Sequence, residues 1–191
     1  MGRGIKQDIK QDTKHKIASA VRQLMQERSL RKITVQDVME LTRMTRQSFY
    51  YHFQDIQNVL SWMVEQQVDH SLQGTEELSF EDWMMRVFAL LDEDRCFYRQ
   101  VLSYGDPCFL HRFGNKLLRQ RMVRLLFHTE NEQKLKEPQR FVVDFSIQMV
   151  LAYLTTFLSS RRPLDPAESR IRLNCLLDTL SLNDETKSKN R

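Results

Sequence analysis

Residues 33–53 read ITVQDVMELTRMTRQSFYYHF, two short helices joined by a tight turn. Thr34 can cap the first helix, and Asp37 three positions on approximates a capping box beside the positive end of the helix dipole. Val35, Val38, Met39 and Leu41 keep helical spacing, which predicts an end near Thr42. After Arg43 and Met44, Thr45 is placed to cap a second helix over Arg46 to Phe53. In that helix Phe49 and Phe53 stand four apart and share one face, which is assigned to the core. Arg46 with Tyr50, and Gln47 with Tyr51, form the opposite face, flanked by Ser48 and His52.

That outward face carries a guanidinium, an amide and two phenols. Arg can fork onto a guanine edge and Gln onto adenine, while Tyr, Ser, Thr and His reach phosphate oxygens. On composition alone, a solvated polar helix face is the plain alternative.

From about Lys14 to Leu60 the sequence resembles the N-terminal domain of the TetR family of bacterial transcription regulators. The likeness lies in a first amphipathic helix, a Thr-capped second helix, the run F-Y-Y-H-F at 49–53 and an apolar Val59. It implies that Phe49 and Phe53 pack, while Tyr50, Tyr51 and His52 lie at DNA bases and phosphates. Arg46, Gln47 and Ser48 would help choose the operator, and Thr34, Gln36, Arg43 and Thr45 complete the expected DNA contacts. Two positions depart from the family pattern. Where the turn usually has Gly, this chain has Arg43, so the turn either finds another backbone solution or holds a non-Gly residue at positive φ, at a cost of about 1 kcal/mol. Where a phosphate-holding Lys is common, three residues after the last Phe, stands Ile56. One expected phosphate contact is thereby lost unless others, such as a basic N-terminal arm, replace it.

With 5 Gly and 4 Pro in 191 residues and no sustained period-two alternation, the chain reads as all-α. No apolar run approaches the ~18–20 residues that cross a bilayer. The N-terminus MGRGIK lacks the apolar core of a secretory signal, so a cytoplasmic protein is expected. Cys96, Cys108 and Cys175 are widely spaced and read as buried thiols rather than a disulfide framework or metal site; a redox sensor would need an exposed, acidified thiol. Charge is placed unevenly: residues 1–53 hold 11 Lys and Arg against 5 Asp and Glu, or +6, and the rest hold 18 against 20, or −2. The excess of cations lies on the segment with the candidate reading helix, as binding to a polyanion requires.

The expected organisation is a basic arm over 1–9, a three-helix helix-turn-helix domain over 10–54, a connecting helix over 55–73 capped by Asp55, a helical domain over 74–182 and a tail over 183–191. The first helix, Lys10 to Glu27, carries an apolar stripe of Ile17, Ala20, Val21, Leu24 and Met25, and Leu30 and Ile33 of the following connector plug the small core. Further helices are expected after Ser79, at 95–104, 108–128, 138–160 and 165–182. The helix opened by Pro138 is apolar around much of its circumference and needs a second covering surface. With the last helix it suggests a four-helix bundle across a twofold axis, using Phe145, Met149, Leu173, Leu176, Leu177 and Leu180. Trp83, Phe88, Phe97, Tyr104, Phe113 and Tyr153 could line an effector pocket, with ordinary core as the alternative. The C-terminal region also resembles the branch typified by activators of dihydroxyacetone-kinase operons. That likeness implies that a protein, rather than a small molecule, can supply the signal.

No nucleophile motif, phosphate loop or metal-ligand spacing occurs among the five histidines or elsewhere, so neither an enzyme nor a cofactor is expected. The expected function is a homodimeric transcription regulator, a repressor by the commoner role of its relatives. It would bind a near-palindromic double-stranded operator, with an effector at the C-terminal domain and no membrane partner. The alternative is a helical adaptor of the same fold that acts through a protein.

Overall fold

The computed structural model describes the backbone of residues 2–104, 107–160, 165–175 and 178, and the side chains among them from residue 11 onward except 107–111. Its helices are α1 Gly2–Glu27, α2 Val35–Thr42, α3 Arg46–His52, α4 Ile56–Ser71, α5 Phe80–Glu93, α6 Arg95–Tyr104, α7 Pro107–Phe127 and α8 Glu137–Ser159. A further helical segment, α9, spans 166–175. Single 3-10 turns at Leu30–Lys32 and Glu132–Lys134 lie in the connectors before α2 and α8. The protein is all-α, with N-terminal helices followed by a helical bundle. One expected boundary changes: α1 starts at Gly2, so the arm expected over 1–9 is helical. Ile, Lys and Gln in that stretch accept helix readily and no Pro interrupts it.

The chain forms two compact units: Met1–His70 with Arg99–Gly105, and Ser71–Tyr98 with Asp106–Arg191. In the first unit, Ile17, Val21 and Leu24 of α1, Val38 of α2, Phe49 of α3 and Val59 and Leu60 of α4 are all buried. Each such side chain contributes about 1.5–3 kcal/mol through burial. The connector between α1 and α2 is closed by Leu30 and Ile33, both buried. It is tied to the C-terminal half of α6: Leu30 N–H donates to Gln100 Oε1 at 3.4 Å, and the Arg31 guanidinium donates to the Ser103 carbonyl at 2.9 Å.

In the second unit α7 and α8 pack closely. Gly114 of α7 sits so near Leu151 of α8 that a Cβ there would lie 2.6 Å from Leu151 Cδ1 and 2.9 Å from Cγ, so a larger residue would force the Leu151 side chain to shift. Arg119 of α7 holds Glu132 at 2.6 Å and also pairs with Asp144 of α8. Ser79 caps α5 by accepting from Asp82 N–H at 3.1 Å, and Arg170 of α9 reaches Asp82 at the same distance. The start of α9 is set by Asp165, whose Oδ1 accepts from Ala167 N–H at 2.9 Å and Glu168 N–H at 3.2 Å.

Two further expectations are corrected here. By length and composition α8 is long and apolar enough to cross a bilayer, because uncharged Ser, Gln and Thr separate its apolar residues after Asp144. Its Val143, Ile147, Val150 and Leu158 are nevertheless buried within the unit. Cys96 and Cys175 are exposed rather than buried, since Phe97, Tyr98 and Val101 take the inward face of α6, and Leu173 that of α9. The side chain of Cys108 lies outside the described residues.

Candidate nucleic-acid interface

The segment from Thr34 to Phe53 is held in place largely by its own side chains. At the start of α2, Thr34 Oγ1 accepts from Asp37 N–H at 3.3 Å while Asp37 Oδ2 accepts from Thr34 N–H at 2.8 Å, a complete capping box. Such a cap contributes about 1 kcal/mol. Arg28 adds an ion pair to Asp37 at 3.0 Å. The hydrogen bonds from Thr34, with the Arg28 charge behind them, hold the Asp37 carboxyl below the usual carboxylate range.

At the other end of α2, Arg43 adopts φ 55° and ψ 35°, the left-handed helical region. Its N–H donates to the Met39 carbonyl, as does Met44 N–H at 3.2 Å. This is a left-handed helix stop with arginine in the place glycine suits. Of the two solutions open to a turn without glycine, the chain uses the strained one. Thr42, buried, donates from Oγ1 to the Val38 carbonyl at 2.6 Å.

Thr45 then caps α3, its Oγ1 accepting from Ser48 N–H at 3.2 Å. The inward face of α3 is Phe49, 1% exposed, followed by Phe53 at 5%. Phe53 meets Trp62 of α4 edge-on with centroids 6.0 Å apart. The outward face is open: Tyr50 is 48% and Tyr51 71% exposed, and Arg46 and Gln47 are exposed as well. The Arg46 guanidinium stands 6.0 Å from the Tyr50 ring centre, and Tyr51 meets the half-buried His52 edge-on at 5.0 Å. Ser48 is half-buried. Thr34, Gln36, Arg43 and Thr45 are exposed at the ends of the two helices, with Gln36 donating to Glu40 at 2.9 Å. All ten residues singled out from the sequence thus lie on one α2–turn–α3 segment of one unit.

Sequence reading missed Lys14. Its ammonium lies 5.5 Å from the Phe53 ring centre and 5.7 Å from that of Trp62. No local spacing signals this, because the three residues come from α1, the end of α3 and α4. Ile56, where a Lys was expected from the resemblance, is buried.

The residues considered for an effector pocket fall in both units. Trp83, Phe88 and Phe97 are buried; Phe113 and Tyr153 are half-buried in the same unit; Tyr104 belongs to the other unit. Phe88 packs edge-on against Tyr153 at 5.6 Å. Of the residues assigned to a dimer face, Phe145 is exposed, Met149 is half-buried, and Leu176, Leu177 and Leu180 lie outside the described residues. Leu173 is 3% exposed, so its surface is already used within its own unit and it drops out of that face. The exposed residues not foreseen there are Phe141, Val142 and Ile171, with Phe141 stacked on Phe145 at 6.2 Å.

Comparison with known proteins shows what the chain is similar to. No protein-family model matches the chain. It superposes on the crystal structure of a TetR transcriptional regulator from Streptococcus agalactiae with a TM-score of 0.67 and 25% identity, covering 92% of this chain and 97% of that one. The chain is similar in sequence and fold to regulators of the TetR family. Its relatives include the HTH-type dhaKLM operon transcriptional activator DhaS of Lactococcus lactis, 30% identical over 98 residues. That match takes in 51% of this chain and spans about half the relative's length, 52%. A solved structure of the dihydroxyacetone kinase operon activator DhaS shares the fold, with a TM-score of 0.62 and 20% identity over 89% of this chain and 97% of that one. The likeness to TetR regulators thus extends to the DhaS activators. Among its described residues, no three His, Cys, Asp or Glu side chains gather where they could hold a metal ion.

Proposed function

We propose that the chain is a DNA-binding transcription regulator that inserts α3 into the major groove and acts as a homodimer on a near-palindromic operator. The observation that carries this reading is the division of α3: Phe49 and Phe53 anchor it, while Arg46, Gln47, Tyr50 and Tyr51 stand open to solvent. A guanidinium and an amide supply base-edge donors and acceptors, and the phenols and Thr45 supply phosphate contacts. Asp37 is occupied by its cap and Arg28, so it does not oppose a phosphate as an open carboxylate would. Thr34, Gln36, Arg43, Ser48 and His52 complete the interface.

Dimerisation through α8 is supported by Phe141 and Phe145, 63% and 56% exposed, with Val142 beside them. Two copies related by a twofold axis would present two α3 helices to two half-sites. An effector at the second unit, small molecule or protein, would adjust DNA affinity in the cytoplasm. Repression is the commoner role among such regulators. Activation is the second reading, favoured by the DhaS relative being named an activator.

Selection of bound duplexes from a random library tests the proposal, run in parallel with folded Tyr51→Ala. A near-palindrome enriched by wild type and weakened in the variant is expected. Undetectable or salt-insensitive duplex binding by folded dimer would favour the adaptor alternative, in which the same fold acts through a protein.

A further inference from the structure

Lys14 is a cation held in an unusual setting. Its ammonium lies over the edge-on pair of Phe53 and Trp62, at 5.5 and 5.7 Å from their ring centres, and among the described residues it makes no ion pair with a carboxylate. The side chain is half-buried, so its stem is packed while its charge is kept. A lysine that only needed solvent would have no use for an aromatic seat. One that must hold a point charge at a fixed place gains from it, since less side-chain freedom is lost when an anion arrives.

The place is specific. Phe53 directly follows the last turn of α3, which carries Tyr50, Tyr51 and His52. A helix about 10–12 Å across fills a major groove about 12 Å wide, so the phosphates of the two strands run along its flanks. On the α4 flank little else is positive. The segment Gln54-Asp55-Ile56 offers no cation, Asp55 is engaged as the α4 cap with Asn58 N–H at 2.7 Å, and Ile56 is buried. From Ile56 to Ser71, α4 contains no Lys or Arg at all. The positive charge on that flank comes from α1, laid across the aromatic side chains.

We propose that Lys14 is a phosphate-binding residue of the DNA interface, preset by Phe53 and Trp62 to meet a backbone phosphate beside the last turn of α3. It acts as a point charge, so it contributes to affinity on every sequence and to specificity on none. This inference rests on the reading of α3 as the helix that enters the groove.

The test is the salt dependence of binding to the selected duplex and to a scrambled one, for wild type, Lys14→Arg, Lys14→Met and Lys14→Gln, each first checked by thermal melting. Loss of one phosphate contact lowers the slope of log affinity against log salt by about 0.9 per bound chain, or about 3.5-fold per chain between 50 and 200 mM salt. A folded Met or Gln variant should show that flattening and weaken equally on both duplexes, while Lys14→Arg keeps the wild-type slope. An unchanged slope in a folded variant, or a loss confined to the selected duplex, would overturn the assignment while leaving the reading of α3 intact. Unfolding of both neutral variants would make Lys14 a structural residue and overturn it too. A flat salt response of wild type on every duplex would sink the reading of α3 itself, and the role of Lys14 with it.

Discussion

Replacing Arg43 by glycine should move stability and DNA binding in opposite directions. Arg43 stands at φ 55°, where an L-residue other than glycine costs roughly 1–2 kcal/mol. Glycine removes that strain but gives the unfolded chain more freedom, which returns roughly 0.4–1 kcal/mol. The N–H bond to Met39 survives the change, and the arginine side chain is exposed, so little packing is lost. Arg43→Gly should therefore make the first unit more stable by about 0.5–1 kcal/mol, the difference of these two effects. If the guanidinium also meets a phosphate, the same variant should lose about 0.9 per chain from its salt slope. Trp62 reports on this unit and Trp83 on the other, so urea unfolding followed by fluorescence in a Trp83→Phe background isolates the effect. A Gly variant less stable than its parent would refute the strain argument; one with unchanged salt dependence would remove Arg43 from the interface.

Four other substitutions probe separate parts of the molecule. Tyr51→Ala, at an exposed position, should leave stability within about 0.5 kcal/mol yet cost roughly 1–3 kcal/mol of duplex affinity; Phe53→Ala should instead cost roughly 3–5 kcal/mol of folding stability, both seen by pairing gel shifts with urea titrations. The Asp37 carboxyl is depressed in the folded unit, so its contribution is present above its unfolded pKa and is lost as pH falls through the folded value. Asp37→Asn should flatten the acid limb of a stability-against-pH curve below about pH 4; an identical acid limb would show that the cap is not coupled to folding. Gly114→Ala should destabilise the α7–α8 pair by melting, despite alanine's better helix propensity, because the methyl collides with Leu151. Phe145→Asp should yield a folded monomer in sedimentation if α8 forms the dimer face, and a dimer at unchanged affinity would place that face elsewhere.

What the sequence revealed and what it concealed follow from the range of the forces involved. The caps at Thr34, Thr45, Asp55, Ser79 and Asp165 act within three residues, and each sets the start of a helix where spacing predicted it. The division of α3 into Phe49 and Phe53 inside, and Arg46, Gln47, Tyr50 and Tyr51 outside, is a matter of period and was equally legible. Contacts between distant segments were not. Lys14 gives no sign in its neighbourhood that Phe53 and Trp62 will receive it, and Leu173 reads as one more apolar residue on a helix until α9 docks and buries it. On α8 the apolar residues outnumber what one face can bury, but which remain outside depends on where α7 lies. That is how Phe141 and Val142 were left off the dimer face while Phe145 was placed on it.

The first unit is discontinuous along the chain, and this affects how the protein is made. Its connector relies on Gln100 and Ser103 as acceptors, and both belong to α6. On a ribosome adding roughly 5–20 residues per second, the intervening residues 71–98 take roughly 1–6 s to synthesise. Through that interval α1 to α4 have emerged or are emerging while Leu30 N–H and the Arg31 guanidinium have only water to bind. A nascent chain paused there, or a gene cut after α4, carries every residue of the reading helix yet lacks the segment that finishes its support.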